Sequence, residues 1–248
     1  MVESMEELWQ AVKSKWDSRF KVVRNEFIPW TLWDVPVSRA KVALVTTGGA
    51  YLKNGFHEPF DIKNPAGDPS FREFPAVASG EDIAVTHTTG DCGYARQDVN
   101  VLFPLERLVA LASAGYIGAV APLAYSFMGH VPDPTDLLAN YAPSVAYRIR
   151  RMGADVALVV AAHPMDSQAA ALVARAIELA GVATVVLGTD RDLLRWVRAP
   201  RALVVAHPDG APLGNPGNAG MHQAVIRVAL EQAWEFQSPG RVDDLVLA

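Results

Sequence analysis

Continuous apolar runs alternate with helix-like stretches along most of the chain. The runs KVALVTT (41–47) and DVALVVAAH (155–163) are separated by stretches whose apolar residues recur at helical spacing. Runs that are apolar throughout indicate strands buried on both faces of a sheet. The order of segments therefore predicts an α/β fold, with a mainly parallel sheet and helices on both faces, of the Rossmann-like or flavodoxin-like type.

The pattern assigns six strands and six helices. The predicted strands are 41–47, 82–87, 117–125, 155–163, 183–188 and 202–207; the predicted helices are 3–21, 104–115, 135–152, 167–180, 190–198 and 219–236. Gly153 and Gly181 directly follow two of these helices, where a left-handed residue commonly ends a helix.

The first 38 residues differ from the rest of the chain. They contain the first predicted helix and then an arm with Trp30, Trp33 and Pro36, so we expect residues 1–38 to pack on an α/β domain of residues 39–248. The apolar runs that begin at residues 41 and 155 are similar, which indicates that the chain consists of two similar halves. Such halves would form two lobes that meet near residues 134–154.

Composition and charge narrow the classes of function. Half of the 248 residues are hydrophobic, a fifth are charged and the net charge is −5, as expected of a globular α/β protein without a nucleic-acid footprint. No apolar run is long enough to span a membrane, and the acidic N-terminal segment is unlike a secretory signal, so we expect a cytoplasmic protein. The chain has a single cysteine, Cys92, so an internal disulfide is excluded. Polar residues flank Cys92, and a reactive thiol therefore remains an alternative.

Histidines are concentrated after the predicted strands. Five of the six histidines lie in or beside these loops, and His222 is the exception; the five are His57, His87, His130, His163 and His207. Ligands of open α/β sheets bind beyond the carboxyl ends of the strands. One such histidine is commonly structural, but five together predict a site for a small polar molecule.

Two chemistries fit these loops. In the first, His163 and His207 act as general acid and base with His87, Asp91 and Asp166, because imidazole titrates near neutral pH. The substrate would then contact Thr46, Thr47, Gly48, Gly49, His57 and Ser167, with the glycine amides facing a carboxylate. In the second, His57, His87, His163 and His207 converge on a divalent metal, the one cofactor that the sequence suggests.

Several separated motifs occur in the order found in one enzyme family. They are VALVTTGGAYLK (42–53), GDPSFREFP (67–75), QDVNVLFPLERL (97–108), IGAVAPLAYSFMG (117–129) and PLGNP (212–216). Together they resemble the selenoprotein B family of glycine, sarcosine, betaine and D-proline reductases, from about residue 40 to 236. The resemblance implies reductive cleavage of a C–N bond.

The redox nucleophile of that family is replaced in this chain. The resemblance places a selenocysteine or cysteine after the first strand of the second half, then a proline and a second cysteine. Here the loop reads AAHPMDSQ (161–168), with His163 and Asp166 at those two positions, while Pro164 and Gln168 match. Imidazole cannot cycle through a disulfide.

The sequence therefore predicts a relative of these reductases with altered chemistry. It would act on a small amino or carboxylate compound by histidine acid–base catalysis. A metal-dependent enzyme and a non-catalytic binding protein or subunit remain the alternatives. Either a homo-oligomer or a complex with a partner subunit fits the sequence, without nucleic acid or membrane.

Overall fold

The computed structural model describes residues 4–15, 19–53, 55–87 and 92–247. The strands are β1 (Lys41–Thr46), β2 (Ala50–Leu52), β3 (Phe71–Pro75), β4 (Ile83–Val85), β5 (Ala119–Val120), β6 (Leu123–Phe127), β7 (Val156–Val160), β8 (Ala183–Gly188), β9 (Arg201–Val204) and β10 (Arg241–Asp244). The helices are α1 (Met5–Lys15), α2 (Gly93–Gln97), α3 (Leu105–Ser113), α4 (Ala142–Arg151), α5 (Asp166–Leu179), α6 (Arg191–Val197) and α7 (Ala219–Trp234). Short 3-10 turns cover Val37–Arg39, Gly80–Asp82 and Val99–Val101, and a π-helical turn, Leu137–Tyr141, precedes α4.

One mainly parallel sheet organises the molecule. Its strand order is β10-β9-β8-β7-β1-β6-β3, and β5 also pairs with β1. The edge strand β3 runs antiparallel to β6, whereas the other pairs in this sheet are parallel. The predicted α/β class is therefore confirmed. The two matching runs, now β1 and β7, are direct neighbours, with Val42 opposite Val156.

The strand order reverses direction beside β1. From β1 the chain forms β6 on one side, returns to form β7 on the other, and then continues outward through β8, β9 and β10. The crevice between the carboxyl ends of β1 and β7 is therefore the switch point at which open α/β sheets bind ligands. Thr47 follows β1 there, and His163 lies three residues beyond the end of β7.

Helices cover both faces of the sheet. On one face, α3 and α7 bury Leu108 and Ile226 against the strands. On the other, α1, α4, α5 and α6 bury apolar side chains such as Val145 and Val173. Among the described residues, no helix is long and apolar enough to cross a membrane.

The structure corrects two predicted strands. Residues 82–87 contribute only β4, which pairs antiparallel with β2 outside the main sheet. Gly49 turns the chain away from β1 with a positive φ of 69°, and its carbonyl oxygen accepts the Thr86 N–H at 2.9 Å. Residues 117–125 form β5 and β6 rather than one strand, since Pro122 between them has no N–H to donate.

Helix ends agree with the sequence, whereas two edge strands were missed. Gly153 and Gly181 have φ values of 66° and 83°, as predicted for residues that end helices. The missed strands, β3 and β10, lie at the two edges of the sheet, and their sequences FREFP and RVDD mix charged with apolar residues. Among the described residues the first helix covers Met5–Lys15, and residues 19–21, at the end of the predicted helix, are not helical.

Buried polar groups attach the arm that follows α1. Arg201 lies over the Trp30 ring, 3.5 Å from its centroid, and pairs with Glu178. The same Glu178 carboxylate accepts the Thr31 amide hydrogen. These contacts link the arm to both α5 and β9.

Candidate functional site

His163 lies at the switch point and is held by a carboxylate. Its ring is buried, and Nδ1 is 2.7 Å from Oδ1 of Asp209, which follows β9. The other ring nitrogen, Nε2, has no hydrogen-bond partner in the part of the chain that the structure describes. A proton-transfer group needs a ring of fixed orientation with one nitrogen available to the substrate, and His163 has this arrangement.

Asp166 links the two histidines of the site. Its Oδ1 is 3.1 Å from His87 Nε2, and its Oδ2 accepts the backbone N–H of His163 at 3.1 Å. Gly129 packs against this carboxylate so closely that a Cβ there would lie 2.3 Å from Asp166 Cγ. A side chain at position 129 would displace the carboxylate.

Electrostatics keep Asp166 ionised. Burial acts to raise the pKa of Asp166, but the charge and hydrogen bond of His87, together with the charges of His163 and His130, bring this pKa below its ordinary value. Asp166 is therefore a buried carboxylate that faces imidazoles.

The two imidazole rings lie against each other. The ring centroids of His87 and His163 are 4.3 Å apart, with an interplanar angle of 38°. The structure thus brings together three residues predicted for the catalytic site, His87, His163 and Asp166. It adds Asp209, which was not predicted; the signal that could have found it is the HPDG motif (207–210) directly after β9.

Hydrogen bonds fix the turn that follows β1 at the switch point. Thr46 donates its hydroxyl to Leu102 O at 2.7 Å, and Gly48 N–H donates to Thr46 Oγ1 at 3.1 Å. The amides of Thr47 and Gly49 donate to Val160 O and Phe127 O. These N–H groups thus have partners within the protein, and substrate contact by Thr46, Thr47, Gly48 and Gly49 stays a prediction.

Two other predicted histidines have different neighbours. His57 accepts the Leu52 N–H at Nδ1, and its ring packs edge-on against Phe74. His207 lies beside Gly214, and burial lowers the pKa of its imidazole. Within the described residues, neither histidine forms a hydrogen bond or ring contact with His87 or His163.

The described residues assemble no metal site. No group of three or more His, Cys, Asp or Glu side chains is placed to hold a metal ion in residues 4–15, 19–53, 55–87 and 92–247. The predicted set of His57, His87, His163 and His207 is therefore not brought together as ligands. Asp91 lies outside the described residues.

Ser167 is enclosed next to Asp166. Its side chain is fully buried, and its Oγ has no hydrogen-bond partner within the described structure. The hydroxyl faces Gly188 at the end of β8, where an added Cβ would lie 3.3 Å from Oγ. A role for Ser167 in substrate binding stays a prediction.

Comparison with known proteins identifies the family. The chain is 33% identical, over 213 residues, to the D-proline reductase subunit gamma of Acetoanaerobium sticklandii, and the match covers 86% of each chain. This chain belongs to the D-proline reductase gamma-subunit family. The family resemblance stated from the motifs is confirmed.

The family also includes larger relatives. The glycine reductase complex component B gamma subunits of Carboxydothermus hydrogenoformans and Symbiobacterium thermophilum are 26% and 27% identical, over 79% and 73% of this chain. The chain spans 45% and 42% of their lengths, less than half of each. No family model and no solved structure matches the chain. The D-proline and glycine reductase relatives are all subunits of reductases, so the chain is a relative of oxidoreductase subunits.

Proposed function

We propose that this member of the D-proline reductase gamma-subunit family acts on a small amino or carboxylate compound by proton transfer through His163. The observation that carries the proposal is the Asp209–His163 pair, 2.7 Å apart, whose ring lies 4.3 Å from that of His87. This pair occupies the switch point of the sheet, where the fold places ligands.

The geometry assigns complementary roles to the two histidines. Asp209 on Nδ1 favours the tautomer with the proton on Nδ1, so that Nε2 of His163 accepts a proton from the substrate. The Asp209 carboxylate then stabilises the imidazolium that forms. The His87 ring lies 4.3 Å from that of His163 and its Nε2 is 3.1 Å from Asp166 Oδ1, so in this proposal His87 is the second proton-transfer group of the site.

The proposed chemistry excludes the redox cycle of the family. His163 stands where the resemblance places the selenocysteine or cysteine, and the single cysteine, Cys92, lies at the start of α2. A thiolate or selenolate is required to pass through a disulfide or selenenylsulfide. We therefore expect no dithiol-driven reduction of proline, glycine or betaine by this chain alone.

This expectation is checked with dithiothreitol as the reductant. Product is measured for the unmodified chain and for Cys92→Ser. Reduction that persists in Cys92→Ser would contradict the requirement for a soft nucleophile. Reduction that is lost in this variant would make Cys92 the reacting group and would overturn the proposal.

A second candidate is a non-catalytic subunit that keeps the fold and the pocket. It is favoured by the enclosure of the site, where His163 is only 3% exposed and Asp166 and Ser167 are fully buried. The relatives in sequence are also named as subunits of reductases. Such a subunit would bind a ligand or a partner but would not need the imidazole of His163.

One experiment separates the two candidates. D-Proline, glycine, sarcosine and betaine are incubated with the purified chain, with His163→Gln and with a control, His222→Gln, a buried histidine that bonds Asn215 O. Turnover is followed by NMR, binding by calorimetry and folding by thermal melting. Glutamine keeps a hydrogen bond but cannot transfer a proton near neutral pH.

Proton transfer predicts that His163→Gln melts normally and loses turnover by roughly 10²–10⁴-fold, whereas His222→Gln keeps it. The non-catalytic candidate predicts that ligands bind without turnover and that His163→Gln binds as well as the unmodified chain. Full turnover in His163→Gln, or unfolding of this variant, would leave His163 with a structural role only.

A further inference from the structure

An apolar groove lies between α4 and α5 on the outer surface of the molecule. Its volume is about 380 Å³, and Arg150 is the one charged residue among the described residues that line it. Ala146 is buried in the groove, whereas Tyr147 and Leu179 at its sides are 61% and 65% exposed. Large apolar side chains exposed around a groove are typical of a surface that contacts another protein.

The exposed face of α4 carries opposite charges at its two ends. The π-helical turn leads directly into α4, so residues 136–151 form one helical segment, about 24 Å long. Positions three or four residues apart share a face of a helix. On this segment they are exposed at Asp136, Asn140, Pro143, Tyr147 and Arg151. The face is therefore acidic at its start, apolar near its middle and basic at its end.

The charges at the two ends have no counterion within the described structure. Asp136 precedes the π-helical turn but accepts no capping hydrogen bond, and it forms no ion pair. Arg151 bonds the Tyr147 hydroxyl at 3.2 Å and no carboxylate. Arg150 is used differently, since it donates to Gly181 O at 2.6 Å. Asp136 and Arg151 are thus the charges available to a contact outside the chain.

We propose that a second copy of this chain covers the groove, with the two α4 helices antiparallel about a two-fold axis. In such a contact, when residue i of one copy meets residue j of the other, j also meets i. Pro143 lies about midway between Asp136 and Arg151, so an axis near Pro143 places Asp136 of each copy beside Arg151 of the other. The apolar side chains around Tyr147 lie between the two ion pairs and are removed from water.

The order of charges selects this arrangement. A parallel pair of α4 helices would bring Asp136 of the two copies together at one end and Arg151 of the two copies together at the other. Like charges in contact oppose association, whereas complementary charges fix the register of an interface. Because the whole chain has a net charge of −5, two copies repel each other at a distance, and association depends on this local complementarity.

Sedimentation velocity of the full chain between roughly 1 and 200 µM tests for the dimer. A contact built mainly on one helix face is modest in size, so we expect a dissociation constant on the order of micromolar. Tyr147→Glu places a carboxylate from each copy in the apolar centre and should weaken the dimer roughly tenfold or more. The control is Phe56→Glu, at a ring that is 80% exposed outside the groove, and it should dimerise like the unmodified chain.

Charge reversal tests the partner and its orientation. Asp136→Arg and Arg151→Asp each bring like charges together twice in every dimer, so each should weaken association roughly tenfold. The double variant restores opposite charges and should regain the affinity of the unmodified chain. Thermal melting of each variant should change little, because the substituted residues are exposed.

Three results would overturn the proposal: a chain that stays monomeric over the whole range, Tyr147→Glu that dimerises as tightly as the unmodified chain, or a double variant that associates more weakly than both single variants. A monomer in every sample would leave the groove to a helix of a different subunit. The charge-reversal variants keep Tyr147, so they decide the orientation even where Tyr147→Glu fails to fold.

Discussion

At the scale of single residues, His163 is positioned by two carboxylates, one close to it in sequence and one distant. Asp166 is three residues away and holds the His163 amide, as a capping residue would. Asp209, which orients the ring, is 46 residues away in sequence. In the proposed reaction Asp209 is a positioning residue, because it contacts the His163 ring and would act only through it.

Asp209→Asn tests this positioning. The amide can present its N–H₂ group to Nδ1 and so favour the wrong tautomer, which should lower turnover by roughly 10²–10⁴-fold and change the pH profile of kcat/KM. Because the Asp209 side chain is 60% exposed, the free energy of unfolding should change by only about 0.5 kcal/mol. Kinetics and urea unfolding measure both. An unchanged pH profile would assign Asp209 no role in the reaction.

Asp166→Asn tests the buried carboxylate through stability. The lowered pKa of Asp166 means that its ionised form stabilises the fold above the unfolded-state pKa, near pH 4, and that this stabilisation is lost as pH falls through the folded-state pKa. Removing this charge from the His87 pair should cost about 3–5 kcal/mol of unfolding free energy at pH 7.

The measurement is urea unfolding of both proteins between pH 7 and pH 3. The difference in unfolding free energy should be largest at neutral pH and should narrow below about pH 4. A difference that stays constant down to pH 3 would show that the charge of Asp166 does not stabilise the fold.

At the scale of elements, the turn from β1 to β2 determines which strands share the main sheet. Gly49 leaves β1 in a left-handed conformation, and Thr86 N–H donates to its carbonyl oxygen at 2.9 Å. That contact starts the β2–β4 pair and carries β4 away from the parallel strands. The position of His87, two residues after β4, follows from this turn.

Gly49→Ala and Gly55→Ala form a matched pair of tests. Both glycines have positive φ, 69° and 80°, but a Cβ at Gly49 would lie 1.9 Å from Thr86 O, whereas a Cβ at Gly55 has no neighbour within 4 Å among the described residues. Gly55→Ala should lose about 1–2 kcal/mol from the left-handed conformation alone. Gly49→Ala should lose about 1–3 kcal/mol more, because the backbones must separate. Equal losses in thermal or urea unfolding would contradict the close contact.

At the scale of the whole molecule, the arm is held by a buried ion pair that joins distant parts of the chain. Glu178 on α5 and Arg201 on β9 are both almost completely buried, and both bond the backbone of Thr31. Thr184 also donates to Glu178. The arm and the sheet should therefore unfold together.

Glu178→Gln measures this attachment. It leaves the Arg201 charge buried without a counterion, so we expect a loss of about 3–5 kcal/mol in unfolding free energy and faster proteolysis of residues 20–35. The control is Arg148→Gln, which removes the partly exposed pair with Glu73 and should cost at most about 1 kcal/mol. Similar losses for the two variants, or an arm that resists protease in Glu178→Gln, would contradict the attachment.

The sequence by itself determined which segments form the layers of the fold. Apolar runs, helical spacing and the glycines at 153 and 181 predicted the central strands and most helices, because burial and backbone conformation are local properties of the chain. The same reasoning predicted that His87, His163 and Asp166 lie at the ends of strands. It also found the family motifs in order, and the family resemblance drawn from them is confirmed.

Only the tertiary structure decided which polar groups meet. The bonds of His87 with Asp166 and of His163 with Asp209 join residues 79 and 46 positions apart. Such contacts depend on strand order and on the packing of loops, which periodicity does not encode. For the same reason the sequence did not show that the Gly48 N–H donates to Thr46 Oγ1 and the Gly49 N–H to Phe127 O.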